Sequence, residues 1–236
     1  MNFAGVQSIT IPEGDVRSIA IGGVTVWTKP NPLPYDAEVE YVESTGAQYV
    51  DTGMLVSDLG AISATVQIPD AASMSSGNVI IMSARARAGA YTSLRVQCRY
   101  ANAIYADAAS GRILVGVTPN IATSSVFSVR AASDSFVVSG DVSGSASVSG
   151  FDGQRTLLLL RDAVNGDLGA TCRLYAFSYE RAGGALVRDF VPVRVGTAGF
   201  LYDRANPTGG PSGNGLYGSA TSTPLVAGPD KNGGAA

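Results

Sequence analysis

From Ala37 onward the apolar residues of this chain recur at every second position, in short runs cut by glycine, proline and serine-rich turns, and never at the 3.6-residue period of a helix. Runs near Val39–Val42, Gln48–Thr52, Ala61–Ile68, Asn78–Ala84, Thr92–Tyr100, Ala103–Asp107, Arg112–Val117, Ser125–Arg130, Ser135–Ser139, Ser143–Ser149, Thr156–Arg161, Thr171–Tyr179, Leu186–Val193 and Gly199–Tyr202 read as strands. Turn signals about every 8–14 residues exclude βαβ units and predict an all-β, antiparallel sandwich or barrel. With 236 residues and 45% apolar content the chain can bury a sizeable core, which argues against disorder.

Two runs carry burial information. TLLLLR, Thr156–Arg161, is apolar on both faces and predicts a strand in mid-sheet, covered on both sides. TSLRVQCRY, Thr92–Tyr100, puts Leu94, Val96, Cys98 and Tyr100 on one face, while Arg95, Gln97 and Arg99, with the preceding Tyr91, fall on the other. That second face is expected to meet water or a partner, and Tyr91, Arg95, Gln97 and Arg99 form the candidate ligand patch. DVSGSASVSG has valine as its one bulky residue type, which fits an edge strand or the close approach of another backbone.

Ahead of these strands, VQSITIPEGDVRSIAIGGVTVWTK reads as three short strands of a β-meander. Pro30, Pro32 and Pro34 then alternate in a stiff connector. The expected organisation is a small β module over 1–29, a linker over 30–37, a sandwich over 38–230 and a flexible tail over 231–236.

Composition narrows the chemistry. There is no histidine, which excludes Ser-His-Asp and Cys-His catalysis and removes the commonest neutral metal ligand. Glu38, Glu40 and Glu43 lie along the opening strand without the paired inward carboxylates of a glycosidase, so no enzyme and no cofactor are expected. DAVNGD, Asp162–Asp167, has oxygen-rich calcium-loop character but lacks the ligand spacing, and Asn-Gly favours a turn. Net charge is −3, and lysine occurs only at Lys29 and Lys231, which argues against nucleic acid. Cys98 and Cys172 sit in alternating runs with no metal spacing, and buried free thiols are favoured over a disulfide. The N-terminus carries no secretory signal pattern and no run is long enough to insert in a membrane, so the chain is expected to begin where it is written. Ten tyrosines against seven phenylalanines and one tryptophan suit surfaces that stack on sugars.

VEYVESTGAQYVDTG, Val39–Gly53, resembles the "EYIESTGTQYIDTG" opening of concanavalin A-like (LamG-like) jelly-roll domains in tail and adhesion proteins of phages and prophages, and reads as two strands around a turn at Ser44-Thr45-Gly46. RLYAFSYERAGGALVRDFVPVR, Arg173–Arg194, resembles their closing strands, and GFLYDRANPTGG with PLVAGPD resembles their terminal block. Pro207-Thr208-Gly209-Gly210 stands where that family has phenylalanine-tyrosine, and the middle of the chain carries no matching block. SITIPEGDVRSIAIGGVTVW resembles short N-terminal segments of phage tail proteins, with Ile11, Ile19, Ile21, Val26 and Trp27 as the expected anchor to the virion.

The resemblance implies a virion protein that binds host surface polysaccharide through the sandwich, contacts other virion proteins through the N-terminal module, and forms a homo-oligomer such as a trimer. The alternative is a structural virion component with no glycan ligand.

Overall fold

The structure is a computed structural model and describes residues 18–21, 24–28, 33–56, 59–70, 79–84, 94–100, 102–108, 111–148, 150, 155–161 and 171–231. The chain divides into two compact units, 1–33 and 34–236, split within the proline-rich segment. In the first, β1 (Ser18–Ile21) and β2 (Val24–Thr28) pair antiparallel, with Ile19 opposite Trp27 and Ile21 opposite Val24. The remaining expected strand of this module, and Ile11, lie outside the described residues.

The second unit is all-β among the described residues and carries two antiparallel sheets. The smaller has six strands in the order β10 (Gly111–Gly116), β9 (Ala103–Ala108), β8 (Arg95–Tyr100), β7 (Val79–Ser83), β14 (Thr156–Leu159) and β5 (Val50–Leu55). The larger runs β13 (Gly144–Ser147), β12 (Ser135–Gly140), β11 (Val126–Ala132), β6 (Leu59–Gln67), β15 (Cys172–Arg181), β4 (Val42–Ser44), β19 (Leu225–Ala227), β17 (Ala198–Asp203), β16 (Leu186–Val195) and β3 (Ala37–Glu38), with β18 (Leu216–Tyr217) also on β17. Alternation aims Ile62, Ala64 and Val66 of β6, Phe127 and Val129 of β11, and Val96 and Cys98 of β8, with Leu94 just before it, into one shared apolar cluster, a sandwich-like arrangement. Each buried Ile, Val, Leu or Phe among them contributes about 1.5–3 kcal/mol by leaving water.

β15 is the hub of the larger sheet. One edge runs along β6 from Arg173 to Arg181. The other edge is shared in sequence by β4, at Cys172–Leu174, and by β16, at Phe177–Glu180. β16 then leaves β15 for β17, and Phe190 sits at the fork, opposite Phe177 on one side and Asp203 on the other.

The opening motif does not fold as a hairpin. β4 pairs with β15 and β19 in the larger sheet, whereas β5 pairs with β14 in the smaller, so Ser44-Thr45-Gly46 turns a corner between sheets. Buried Gln48 holds that corner. Its Oε1 accepts the Thr45 N–H at 2.9 Å, its backbone carbonyl accepts the Ser44 hydroxyl at 2.8 Å, and its Nε2 donates to the Pro224 carbonyl at 3.2 Å, next to β19. Gly46 takes φ 101°, a conformation that favours glycine. Gln48→Ala leaves the Thr45 N–H and Pro224 carbonyl without these partners and is expected to cost about 2 kcal/mol, read as a lower urea midpoint at unchanged m.

Other expectations resolve in particular ways. Two short strands, β18 and β19, follow the last strand expected from the sequence, and Val226 and Ala227 of β19 pair with Glu43 and Val42, so near-first and last strands close the larger sheet. β14 pairs on both sides, but Leu158 is half-buried; β7 is the strand covered on both faces. β13 meets both parts of its prediction. It is the edge of the larger sheet, and a Cβ on Gly144 would collide with the Gly116 carbonyl oxygen.

Cys98 and Cys172 are buried free thiols from opposite sheets. Burial, with Glu43 adding to it, pushes the Cys172 thiol up to about 12, and burial with the neighbouring Cys172 raises Cys98 further. A thiol whose proton is held more tightly in the folded state makes stability fall as pH rises above its unfolded value of about 8.5, by up to about 1.4 kcal/mol per pH unit for each. The expected result is no labelling of native protein by a disulfide reagent at pH 8, full labelling in denaturant, and a unfolding midpoint that declines from pH 8.5 to 10.

Candidate functional site

β16 and β17 form a hairpin through Gly196-Thr197, and β17 alternates so that Leu201 enters the core while Phe200 points outward, half-buried. After Asp203 the chain makes the glycine-rich loop 204–215, returns as β18 beside β17, and continues through 218–224 to β19. The Ala220 N–H donates to the Tyr49 carbonyl at 2.8 Å, which ties this return to the start of β5. Between these segments lies an open cleft of about 360 Å³, lined by Asp51, Phe200, Pro211, Ser212, Asn214, Leu216, Tyr217, Gly218, Ser219 and Ala220.

Its polar groups are held in place. Asp51 Oδ1 accepts the Gly53 N–H at 2.9 Å, fixing the carboxylate in an Asx turn and leaving Oδ2 for an outside donor. Asn214 Oδ1 accepts the Leu216 N–H at 3.2 Å, which leaves Nδ2 with two donors. Gly218 lies against the ring of Phe200, and a Cβ there would come within 2.8 Å of its Cε1. The wall itself hangs on Asp203, which is fully buried. Its Oδ1 accepts N–H groups from Asp189, Ala205 and Asn206 at 3.1, 3.1 and 3.2 Å, and Oδ2 faces Arg188 Nε at 3.3 Å.

The sequence-predicted patch is placed differently. Tyr91 lies outside the described residues. Arg95 and Gln97 are buried, 4% and 1% exposed, and only Arg99 of the three is exposed. The polar alternation at Arg95 marks an internal ion pair: Asp107, its cross-strand partner on β9, sits 2.6 Å from Arg95 Nη2 and 2.9 Å from Arg112 Nε. Ile19, Ile21, Val26 and Trp27 lie on β1 and β2. Asp162 and Asp167, with the DAVNGD turn, lie outside the described residues.

Two acidic residues of the opening segment, Glu38 and Glu43, are drawn into separate ion pairs. Glu38 is 2.7 Å from Arg204, and Glu43 is 2.6 Å from Arg173. Burial works against ionisation of Glu38, but Arg204 and Lys231 outweigh it and hold its carboxyl below the ordinary value. Arg173 also donates to Gln67 at 3.0 Å and stacks 4.4 Å from the Tyr41 ring, with Tyr175 alongside. This outer-face cluster spends its polar groups on itself, whereas the cleft leaves an acceptor and two donors unspent. Sequence reasoning missed the cleft because its parts, Asp51, Phe200 and Asn214, lie far apart in the chain.

No family model matches this chain, and neither does any curated protein.

Proposed function

We propose that this protein is a phage or prophage virion component whose second unit, a concanavalin A-like jelly roll, recognises a host surface glycan in the cleft between Asp51, Phe200 and Asn214, while residues 1–29 attach it to other virion proteins. The observation that carries the reading is the cleft itself. An aromatic ring beside an oriented carboxylate and a free amide, in a volume within the usual range of about 300–1,000 Å³, suits a pyranose, which offers one apolar face and a rim of hydroxyls. The resemblance supports it independently, since Asp51 belongs to the first resembling block and Phe200 to the last. A shallow site binds weakly alone, and a homo-oligomer multiplies it by avidity.

The structural alternative has its own observation. One face of the larger sheet carries half-buried Ser63, Thr65, Ser128 and Ser178 on adjacent strands, a set of short hydroxyl side chains suited to contact with another subunit. Fluorescence binding of the labelled full chain to intact bacteria, with and without competing surface polysaccharide, separates the two. Saturable binding abolished by polysaccharide and weakened about two- to tenfold per site in Phe200→Ala supports the glycan reading. Absence of binding to any host tested moves the assignment to the structural role.

A further inference from the structure

Resting on that reading, we propose that the cleft selects neutral sugars and rejects sugars bearing a carboxylate, with Asp51 as the discriminating group. Among the described residues that line it, Asp51 carries the only charge. An ionised carboxylate is purely an acceptor, so sugar hydroxyls donate to its free Oδ2, whereas the C6 carboxylate of a uronate replaces one such donor by an acceptor and brings a like charge. A site for acidic sugars needs a guanidinium or ammonium aimed into it. Arg161, two residues beyond β14, is stacked 4.3 Å from the Tyr49 ring and is not part of the lining.

The rest of the cleft is neutral: Phe200 for the ring face, Asn214 Nδ2 as donor, and the hydroxyls of Ser212 and Ser219. Ser219 already shares its hydroxyl with Thr221 at 2.9 Å, so Asp51 and Asn214 remain the principal polar contacts. Both are complementary to hydroxyl groups, which donate and accept, and neither neutralises an anion.

The test uses the full chain against an immobilised mannan, galactan and glucan, each presented unmodified and after oxidation of C6 to the carboxylate. Wild type is expected to bind at least one unmodified polymer, and its oxidised form at least about tenfold more weakly at low salt. Because Asp51 is exposed, that ratio should shrink at high salt. Asp51→Asn, which removes the charge and keeps the shape, is expected to bring the ratio near unity. Oxidised polymer bound as tightly as the unmodified one, or a ratio unchanged in Asp51→Asn, overturns the selectivity while leaving glycan binding intact. No binding to either form, by protein whose circular dichroism and melting are native, overturns both.

Discussion

Replacing Asp203 with alanine is expected to destabilise the second unit by about 3–5 kcal/mol, because it strips a buried carboxylate from Arg188 and from three backbone N–H groups at once. At this chain length the melting temperature should fall by roughly 10 °C. Asp203→Asn keeps an acceptor oxygen but turns amide hydrogens toward donors, and should recover only part of the loss. Burial pushes the Asp203 carboxyl above its ordinary value, although the Asp189 N–H and Arg188 pull the other way. The folded state therefore holds this proton more tightly than the unfolded chain, and wild-type stability should fall as pH rises from the ordinary aspartate value, about 4, through the raised one. Asp203→Asn should lack that component of the slope. A melting shift below about 3 °C in Asp203→Ala would show that the loop N–H groups find other partners and that Asp203 does not hold the cleft wall.

That aspartate was visible in the sequence as part of LYDRAN, but nothing local distinguishes a loop-pinning carboxylate from a surface one. Strand positions fared differently, since a two-residue alternation is a property of the local chain: Ile62, Ala64 and Val66 point inward as their spacing requires. Pairing is not local. The turn at Ser44-Thr45-Gly46 carries the same residues whether it closes a hairpin or carries the chain between sheets, and what decides is Gln48 reaching Pro224, 176 positions away. β19 escaped notice for a similar reason: three residues amid Gly, Pro, Ser and Thr become a strand only because β4 and β17 both offer a free edge.

On β8 the expected exposure of the polar face is overturned at Arg95 and Gln97, which are buried, and the reason is again non-local. Polar alternation says that a face is polar, and whether that polarity meets water depends on a neighbour. Asp107 neutralises Arg95 across the strands, so the face is compatible with burial. Arg99 is the one of the three that stays exposed. The cleft inverts the situation. Its residues are individually unremarkable in sequence, and become a site because the β16–β17 hairpin, the loop that follows it and the start of β5 converge.

Phe190 links that convergence to the core, and Phe190→Ala is expected to cost about 3–5 kcal/mol. The ring is fully buried, stacks on Phe177 at 5.6 Å between centroids and tilts against Tyr217 at 4.8 Å. Truncation removes both aromatic contacts and leaves a cavity where β16 passes from β15 to β17, a point the sheet fork keeps from collapsing. Phe190→Leu fills much of the volume and should cost less than half as much. Tyr217 lines the cleft, so Phe190→Ala, assayed well below its melting temperature, should also weaken polysaccharide binding several-fold, whereas a core residue remote from β18, such as Val129 of β11, changed to alanine should lower stability and leave binding unchanged. Asp203 is the cross-strand partner of Phe190, and the two pin one junction, one by hydrogen bonds and the other by packing. Their losses should therefore be non-additive, with the double variant destabilised by at least about 0.5 kcal/mol less than the sum. Strict additivity in urea melts would mean that wall and core are independent, and would remove the physical link drawn between the fork and the cleft.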